Sequence, residues 1–217
     1  MNYPFWQSML DEIQSHPNAD VVNVDTGVKY ECLQDMVDEA AKLGYDAVVN
    51  CTGLGSKAIC NDDDLIGARG VLLHFDRQCQ RIESDSGMEL SNDAVILVED
   101  SPFGVENYPC YLIPRGDKIV VGGSYIENDT FTSIRNTERT RLETNARLLG
   151  IDTNKAKPVG EWTGFRPYRP TVRLELDSTI GKKENITVVH NYGHGGSGWT
   201  VFIGAATEVT SLLVRAS

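Results

Sequence analysis

The sequence predicts an α/β (α+β) fold in which a mostly antiparallel, β-rich stretch interrupts an α/β portion. Three observations carry this expectation. Towards both ends of the chain, short apolar, β-branched runs stand next to segments with apolar residues at helical spacing. From Gly70 onward the middle holds short alternating segments separated by turn residues, the pattern of antiparallel sheet. Near the C-terminus, Gly193-His194-Gly195-Gly196-Ser197-Gly198 packs four glycines into six residues between a strand pattern and a helix pattern.

The elements follow in order. Phe5–Ile13 reads as a short amphipathic helix, Val21, Val22 and Val24 as a strand, and Leu33–Leu43 as a helix. Tyr45–Asn50 contains Ala47-Val48-Val49, an apolar run that reads as a buried strand. The alternating segments are Val71–Phe75, Ala94–Val98, Tyr111–Ile113 and Lys118–Gly122. Turn signals at Ser84-Asp85-Ser86-Gly87 and Pro114-Arg115-Gly116-Asp117 separate them. Thr137–Leu149 reads as a helix and Thr171–Leu176 as an alternating strand. Ile186-Thr187-Val188-Val189 is a second buried strand, and Thr200–Val214 a helix with Val201, Phe202, Ala205, Val209, Leu212 and Leu213 on one face.

Composition bounds the function. A chain of 217 residues with net charge −11 is poorly suited to nucleic acid or an anionic membrane surface. No apolar run approaches 18 residues, so no membrane span is expected. The first ten residues lack the basic start and apolar centre of a signal peptide. Cys32, Cys51, Cys60, Cys79 and Cys110 form no paired motif, which suits free thiols in a reducing compartment such as the cytoplasm. His74, His190 and His194 fit no standard ligand spacing, so no metal is expected.

The candidate site residues come from chemistry at particular spacings. A strand, a glycine-rich turn and a helix start can form an anion site, because glycine admits close backbone approach and first-turn N–H groups carry partial positive charge. The same residues also suit a plain tight turn, and both readings stay open at this point. Arg166 lies beside Pro167 and near Pro170, which stiffen the backbone, and its planar fork can grip a carboxylate; a surface arginine is the alternative. Tyr111 and Tyr125 can donate hydroxyls while their rings exclude water, or simply pack in a sheet. Cys51, Thr52 and Gly53 follow a strand, where open α/β sheets bind ligands.

Five segments, in order, resemble the D-amino-acid oxidase family, which includes D-aspartate oxidase. They are Val49-Asn50-Cys51-Thr52-Gly53-Leu54-Gly55-Ser56, Tyr111-Leu112-Ile113-Pro114, Gly122-Gly123-Ser124-Tyr125, the arginine segment Gly164 to Leu174, and His190 to Thr200. The resemblance covers nearly the whole chain, from about Tyr3 to Val214. It implies a partial FAD-binding, Rossmann-like domain over 1–70 and 164–217, with a substrate-binding β-rich domain inserted at 71–163. FAD is the cofactor it implies. A D-amino acid and O₂ are the small-molecule partners, and a homodimer is compatible with it.

Residue by residue, the resemblance makes Arg166 the anchor of the substrate carboxylate and Tyr111 a second donor to it. Tyr125 stands at the side-chain pocket, and the Gly196 carbonyl accepts from the substrate amine. Val28 falls near the adenine, and Cys51, Thr52 and Gly53 near the ADP half of FAD. Arg173 falls near the flavin ring, and Gly195, Gly196, Ser197, Gly198, Trp199 and Thr200 at its pyrimidine edge. The implied chemistry is hydride loss from Cα, giving a 2-oxo acid, ammonia and H₂O₂, with catalysis mostly by orientation. Eukaryotic members often end in a peroxisomal Ser-Lys-Leu; Arg215-Ala216-Ser217 is not one. A cytoplasmic or peroxisomal location is expected.

Members of the family open on a strand and a G-x-G-x-x-G turn that cradles the cofactor pyrophosphate, and no such segment opens this sequence. Gly53–Ala58 fits G-x-G-x-x-A after a strand, but the polar run Asn61-Asp62-Asp63-Asp64 leaves no room for a crossover helix. The sequence therefore reads as roughly the C-terminal three-fifths of such an oxidase. Two classes of function stay open. One is an oxidase favouring neutral D-amino acids, because Tyr125 stands where animal D-aspartate oxidases place an arginine, with D-aspartate as the alternative substrate. The other is a non-catalytic remnant.

Overall fold

A computed structural model describes residues 3–19, 30–79, 93–98 and 109–216. The expectations at Val21, Val22 and Val24, at Val28, at Ser84-Asp85-Ser86-Gly87 and across the start of Ala94–Val98 fall wholly or partly outside the residues assigned to elements. Helix α1 (Tyr3–Ser15) belongs to a first compact unit, Met1–Tyr30, and everything that follows to a second, Glu31–Ser217.

The second unit opens with α2 (Leu33–Leu43). The Asp35 carboxylate accepts from the backbone N–H groups of Glu31 and Cys32 at 3.0 Å, which starts the helix. Gly44, at φ 77°, ends it in the left-handed conformation that glycine adopts without strain. Leu33 and Val37 are buried against Ile186 and Val188. Strand β1 (Ala47–Asn50) leads into a 3₁₀ turn at Gly53–Gly55 and a four-residue helix α3 (Ser56–Ile59), so no crossover helix follows β1. The chain continues through β2 (Ile66–Asp76), β3 (Ile96–Val98), β4 (Cys110–Arg115), β5 (Lys118–Gly122) and β6 (Ile126–Glu127). Helix α4 (Asn136–Leu148), β7 (Gly160–Leu176), β8 (Thr187–His194), a 3₁₀ turn at Gly195–Ser197 and α5 (Gly198–Ala216) complete it.

All eight strands join one sheet, in the order β1-β8-β7-β2-β5-β4-β3 with β6 beside β2. Only the β1–β8 pair is parallel; the others described are antiparallel. The boundaries expected at 70/71 and 163/164 lie directly opposite one another, since Gly70 pairs with Gly164 and Val71 with Thr163. Strands β2 and β7 thus run unbroken through both portions.

Alternation along β2 decides the two faces. Val71, Leu73 and Phe75 point to a core shared with Leu112, Ile119, Val121 and, from α4, Leu142 and Ala146. Fully burying a side chain of this size stabilises by about 1.5–3 kcal/mol. Ala68, Gly70, Leu72 and His74 share the opposite face with their partners Arg166, Gly164, Trp162 and Gly160, because paired residues project to the same side.

One expectation is corrected. Strand β1 is not buried on both sides: Val49 is 37 % exposed, since among the described residues β1 pairs only with β8. Helix α5 is, by length and composition alone, long enough to cross a membrane, although no continuous apolar run announced it. Its hydroxyl residues explain why: Thr207, Thr210 and Ser211 donate to carbonyls one turn back, hiding polar groups inside an apolar helix. Core helices of soluble proteins meet the same criterion.

Arg69 is the largest fully buried side chain, and it faces α4. Its guanidinium donates to both Glu138 carboxylate oxygens, at 2.5 and 3.0 Å, and to the carbonyls of Phe131 and Ser133. Asp129 lies 3.4 Å away. The Glu138 carboxylate also accepts from the Arg135 backbone N–H at 2.8 Å, so one ion pair fixes the helix start and the preceding loop. Arg69→Leu strands these carboxylates near the core, and the expected loss is about 3–5 kcal/mol in urea unfolding monitored by circular dichroism.

Candidate active site

Arg166 stands on β7 with its guanidinium lying across Gly70 of β2, where any Cβ would overlap it. Its Nη1 donates to the Ser124 carbonyl at 3.1 Å. On the neighbouring strands Tyr111 pairs with Gly122, and its ring fills the space that side chains at Gly122 and Gly123 would take. The Tyr111 hydroxyl is hydrogen-bonded with Arg166; burial pushes the phenol up, and Arg166 offsets only part of that rise. Tyr111 is therefore a neutral donor at physiological pH. Tyr125 packs edge-to-face on Tyr168, with ring centres 5.8 Å apart. Its hydroxyl is also pushed up, by burial first and then by Tyr168 and Glu127. Three glycines thus make room for one arginine and a tyrosine, beside an aromatic wall. A planar guanidinium flanked by neutral hydroxyls suits a carboxylate.

The carboxyl ends of β1 and β8 form a second cluster. The Asn50 carbonyl oxygen accepts from the Thr52 backbone N–H at 3.1 Å, the Thr52 hydroxyl at 2.9 Å and the Ser56 hydroxyl at 3.3 Å. This holds Cys51, Thr52 and Gly53 in a turn, with Gly53 at φ 56° and Cys51 and Thr52 exposed. Burial pushes the Cys51 thiol up, partly offset by a hydrogen bond with Asn191. The Asn191 carbonyl oxygen is buried and has no hydrogen-bond partner among the described residues.

The glycine-rich segment is strand, turn and helix start together. His194 ends β8 opposite Tyr168, and Gly195, at φ 57°, turns the chain against the Tyr168 ring. Gly196, Ser197, Trp199 and Thr200 are exposed, and Gly198 opens α5. Gly196 faces the Arg166 stem, where a Cβ would lie 3.5 Å from its Cδ. The turn and the arginine are therefore adjacent, so Tyr111, Tyr125, Arg166 and Gly196 gather in one place. Burial lowers the His194 imidazole, which favours its neutral form.

Arg173 takes a different setting. It bonds the Tyr192 hydroxyl at 2.9 Å and Glu175 at 2.8 Å, beside Asp62 and Asp177. Tyr192 in turn donates to Asp62 at 2.6 Å, and Arg169 grips both Asp62 oxygens at 3.0 and 3.3 Å. Burial would raise the Asp62 carboxyl, but the Tyr192 hydroxyl and the two arginines outweigh it and hold it below the usual range. Val28 lies outside the described residues.

Sequence reasoning missed Gly70, Tyr168, Asp62, Asp177 and His190 as parts of these clusters. One signal was available: Arg69 and Gly70 interrupt an otherwise apolar strand, and both interruptions proved to have partners.

Residues 12–212 match the family described as DAO, FAD dependent oxidoreductase. D-aspartate oxidase 1 of Caenorhabditis elegans is 31% identical over 183 residues, 83% of this chain and 49% of that protein. The D-amino-acid oxidase of Dictyostelium discoideum is 34% identical over 180 residues, 80% and 44%. The chain spans about half the length of the curated relatives it matches. Among solved structures, glycine oxidase from Geobacillus kaustophilus superposes with a TM-score of 0.58 at 17% identity, over 79% of this chain and 42% of that one, a likeness of fold.

Because Asp62 is held below its unfolded pKa of about 4, it stabilises above that pH and the benefit fades as pH falls through the native value. Asp62→Asn is expected to cost on the order of 2 kcal/mol at pH 7 and progressively less toward pH 3, measured as the gap between the two unfolding free energies in urea.

Proposed function

We propose that this chain, which belongs to the FAD-dependent oxidoreductase family, forms the substrate-binding part of an oxidase that converts D-amino acids to 2-oxo acids, ammonia and H₂O₂, with neutral D-amino acids preferred. The observation that carries this reading is Arg166 laid across Gly70, flanked by Tyr111 and Gly196.

The residues present fit the flavin cofactor in part. The unpartnered, buried Asn191 carbonyl oxygen is an acceptor waiting for a donor, beside the exposed Cys51–Gly53 turn at the carboxyl ends of two parallel strands. The exposed backbone at Gly196–Thr200, at the start of a long helix, adds N–H groups suited to negative charge. When bound, the cofactor supplies the two-electron oxidant for the substrate Cα–H bond and returns its electrons to O₂.

The protein's own residues bind and orient. Arg166 takes the substrate carboxylate through its fork, and Tyr111 donates a hydroxyl to the same group. The Gly196 carbonyl accepts from the amine. With the carboxylate and the amine held and the side chain directed to the pocket of Tyr125 and Tyr168, three points fix which side of Cα carries the hydrogen, and this is the source of stereochemical selection. Tyr125 and Tyr168 exclude water from the side-chain pocket. A neutral Tyr125, with Glu127 near it, offers no charge to offset burial of a second carboxylate, and this supports neutral substrates. D-aspartate is the second reading, supported by the D-aspartate oxidases among the relatives.

Arg166→Ala removes a charge-assisted pair within the site, and kcat/KM in the flavin-loaded protein should fall at least about 30-fold. Tyr125→Arg should move the ratio of kcat/KM for D-alanine and D-aspartate at least about tenfold toward D-aspartate. A wild type that prefers D-aspartate, or a ratio that Tyr125→Arg leaves unmoved, rejects Tyr125 as the specificity residue.

A further inference from the structure

We infer that Asp177, His190 and Asn50 form a positioning relay, whose hydrogen-bond polarity holds the Cys51–Gly53 turn in the form that receives the cofactor. The cofactor's place at this turn rests on the function proposed above.

The relay is buried. Asn50 and His190 are 0 % exposed and pair in register on β1 and β8. Asp177, just beyond β7, is 8 % exposed. Its direction follows from donor and acceptor bookkeeping alone. The Thr52 backbone N–H can only donate, so the Asn50 atom 3.1 Å from it is the carbonyl oxygen. The Asn50 nitrogen then faces His190 Nδ1 at 3.3 Å and Cys60 Sγ at 3.3 Å. That nitrogen only donates, so His190 Nδ1 accepts. His190 Nε2 therefore carries the proton and donates to Asp177 Oδ2 at 3.0 Å. The other Asp177 oxygen accepts from the Thr179 N–H and hydroxyl, at 2.7 Å each, and from the Ile180 N–H at 2.9 Å, which fixes the carboxylate. Every bond is consistent with one polarity, and reversing any member sets donor against donor. The acceptor at Asn50 that ties Thr52 and Ser56 together depends on a carboxylate two strands away. Groups that support a binding shell in this way set its geometry without touching the ligand.

Asp177→Asn tests this, and it also removes the carboxylate that Arg173 Nη2 meets at 3.8 Å. The remaining oxygen keeps the Thr179 and Ile180 bonds, while a donor replaces the acceptor facing His190. His190 must then carry its proton on Nδ1, toward Asn50. The Asn50 amide turns, and the Thr52 N–H loses its acceptor. Asn50→Asp in the same molecule restores the bonds with reversed polarity: Nδ1–H donates to the new carboxylate, whose other oxygen takes Thr52 and Ser56. Net charge is unchanged in the pair. The readouts are the ¹⁵N shifts of the His190 ring, Thr52 amide exchange by NMR, and FAD affinity by flavin-fluorescence titration of the whole chain. Wild type should show Nε2–H. Asp177→Asn should speed Thr52 exchange and weaken FAD at least about tenfold, Asn50→Asp alone should keep Thr52 protected because a carboxylate oxygen still accepts from it, and the double variant should return to within about threefold of wild type.

Additive losses in the double variant, or an Nδ1–H tautomer in wild type, overturn the relay, since residues that only fill space have no reason to compensate. Thr52 exchange that follows the relay while FAD affinity does not overturns the cofactor's place at this turn. If no variant binds FAD saturably, the function proposed above fails, and the tautomer and exchange arms still decide the relay.

Discussion

The pairing of β2 with β7 is the constraint on which the rest depends. It runs in unbroken register from Ile66 opposite Tyr168 to His74 opposite Gly160. One end of this ladder belongs to the α/β portion and the other to the antiparallel portion, so the two share strands rather than meet at an interface. Register then decides chemistry. A slip of β7 by one residue would turn Arg166 to the α4 side. The Gly70–Gly164 pair lies where the two portions join. At Gly70 the absent side chain leaves the room that Arg166 occupies.

Two of the buried charge clusters perform different tasks. Arg69 collects the Glu138 carboxylate from the first turn of α4 and carbonyls from the loop before it, holding that helix to the sheet. Asp62 collects Arg169, Arg173 and Tyr192, tying the segment after α3 to β7 and β8. Removing one partner from either cluster leaves charge without compensation in a poorly solvated setting, so each is far costlier to break than a surface pair. Arg166, by contrast, donates only to the Ser124 carbonyl and the Tyr111 hydroxyl oxygen, and meets no carboxylate among the ion pairs described. An arginine held by neutral groups keeps its charge free for a ligand.

Helix α5 carries several exposed apolar side chains, and Val49 of β1 is partly open. Ile203 is 65 % exposed, and Trp199, Val201 and Val49 are also open. Both elements meet at β8, which parallel pairing and helix packing bring to the centre of the α/β portion.

The sequence by itself determined the family, the helices and most strands, because these rest on local periodicity and contiguous motifs. Leu33–Leu43 and Lys118–Gly122 are found where apolar spacing puts them, since α2 has a carboxylate at its start and a glycine at its end, and β5 ends in a glycine pair. Arg166, Tyr111 and Gly196 were legible as candidates for the same reason. Only the tertiary structure decided that β7 extends back to Gly160, that Val49 is open, and that Arg173 engages Asp62, Glu175 and Tyr192. It alone brought Asp177 to His190 across 13 residues of separation, and His190 to Asn50 across 140. Hydrogen bonds over such distances depend on strand order and register, and these are set by the packing of the whole sheet rather than by any window of the chain.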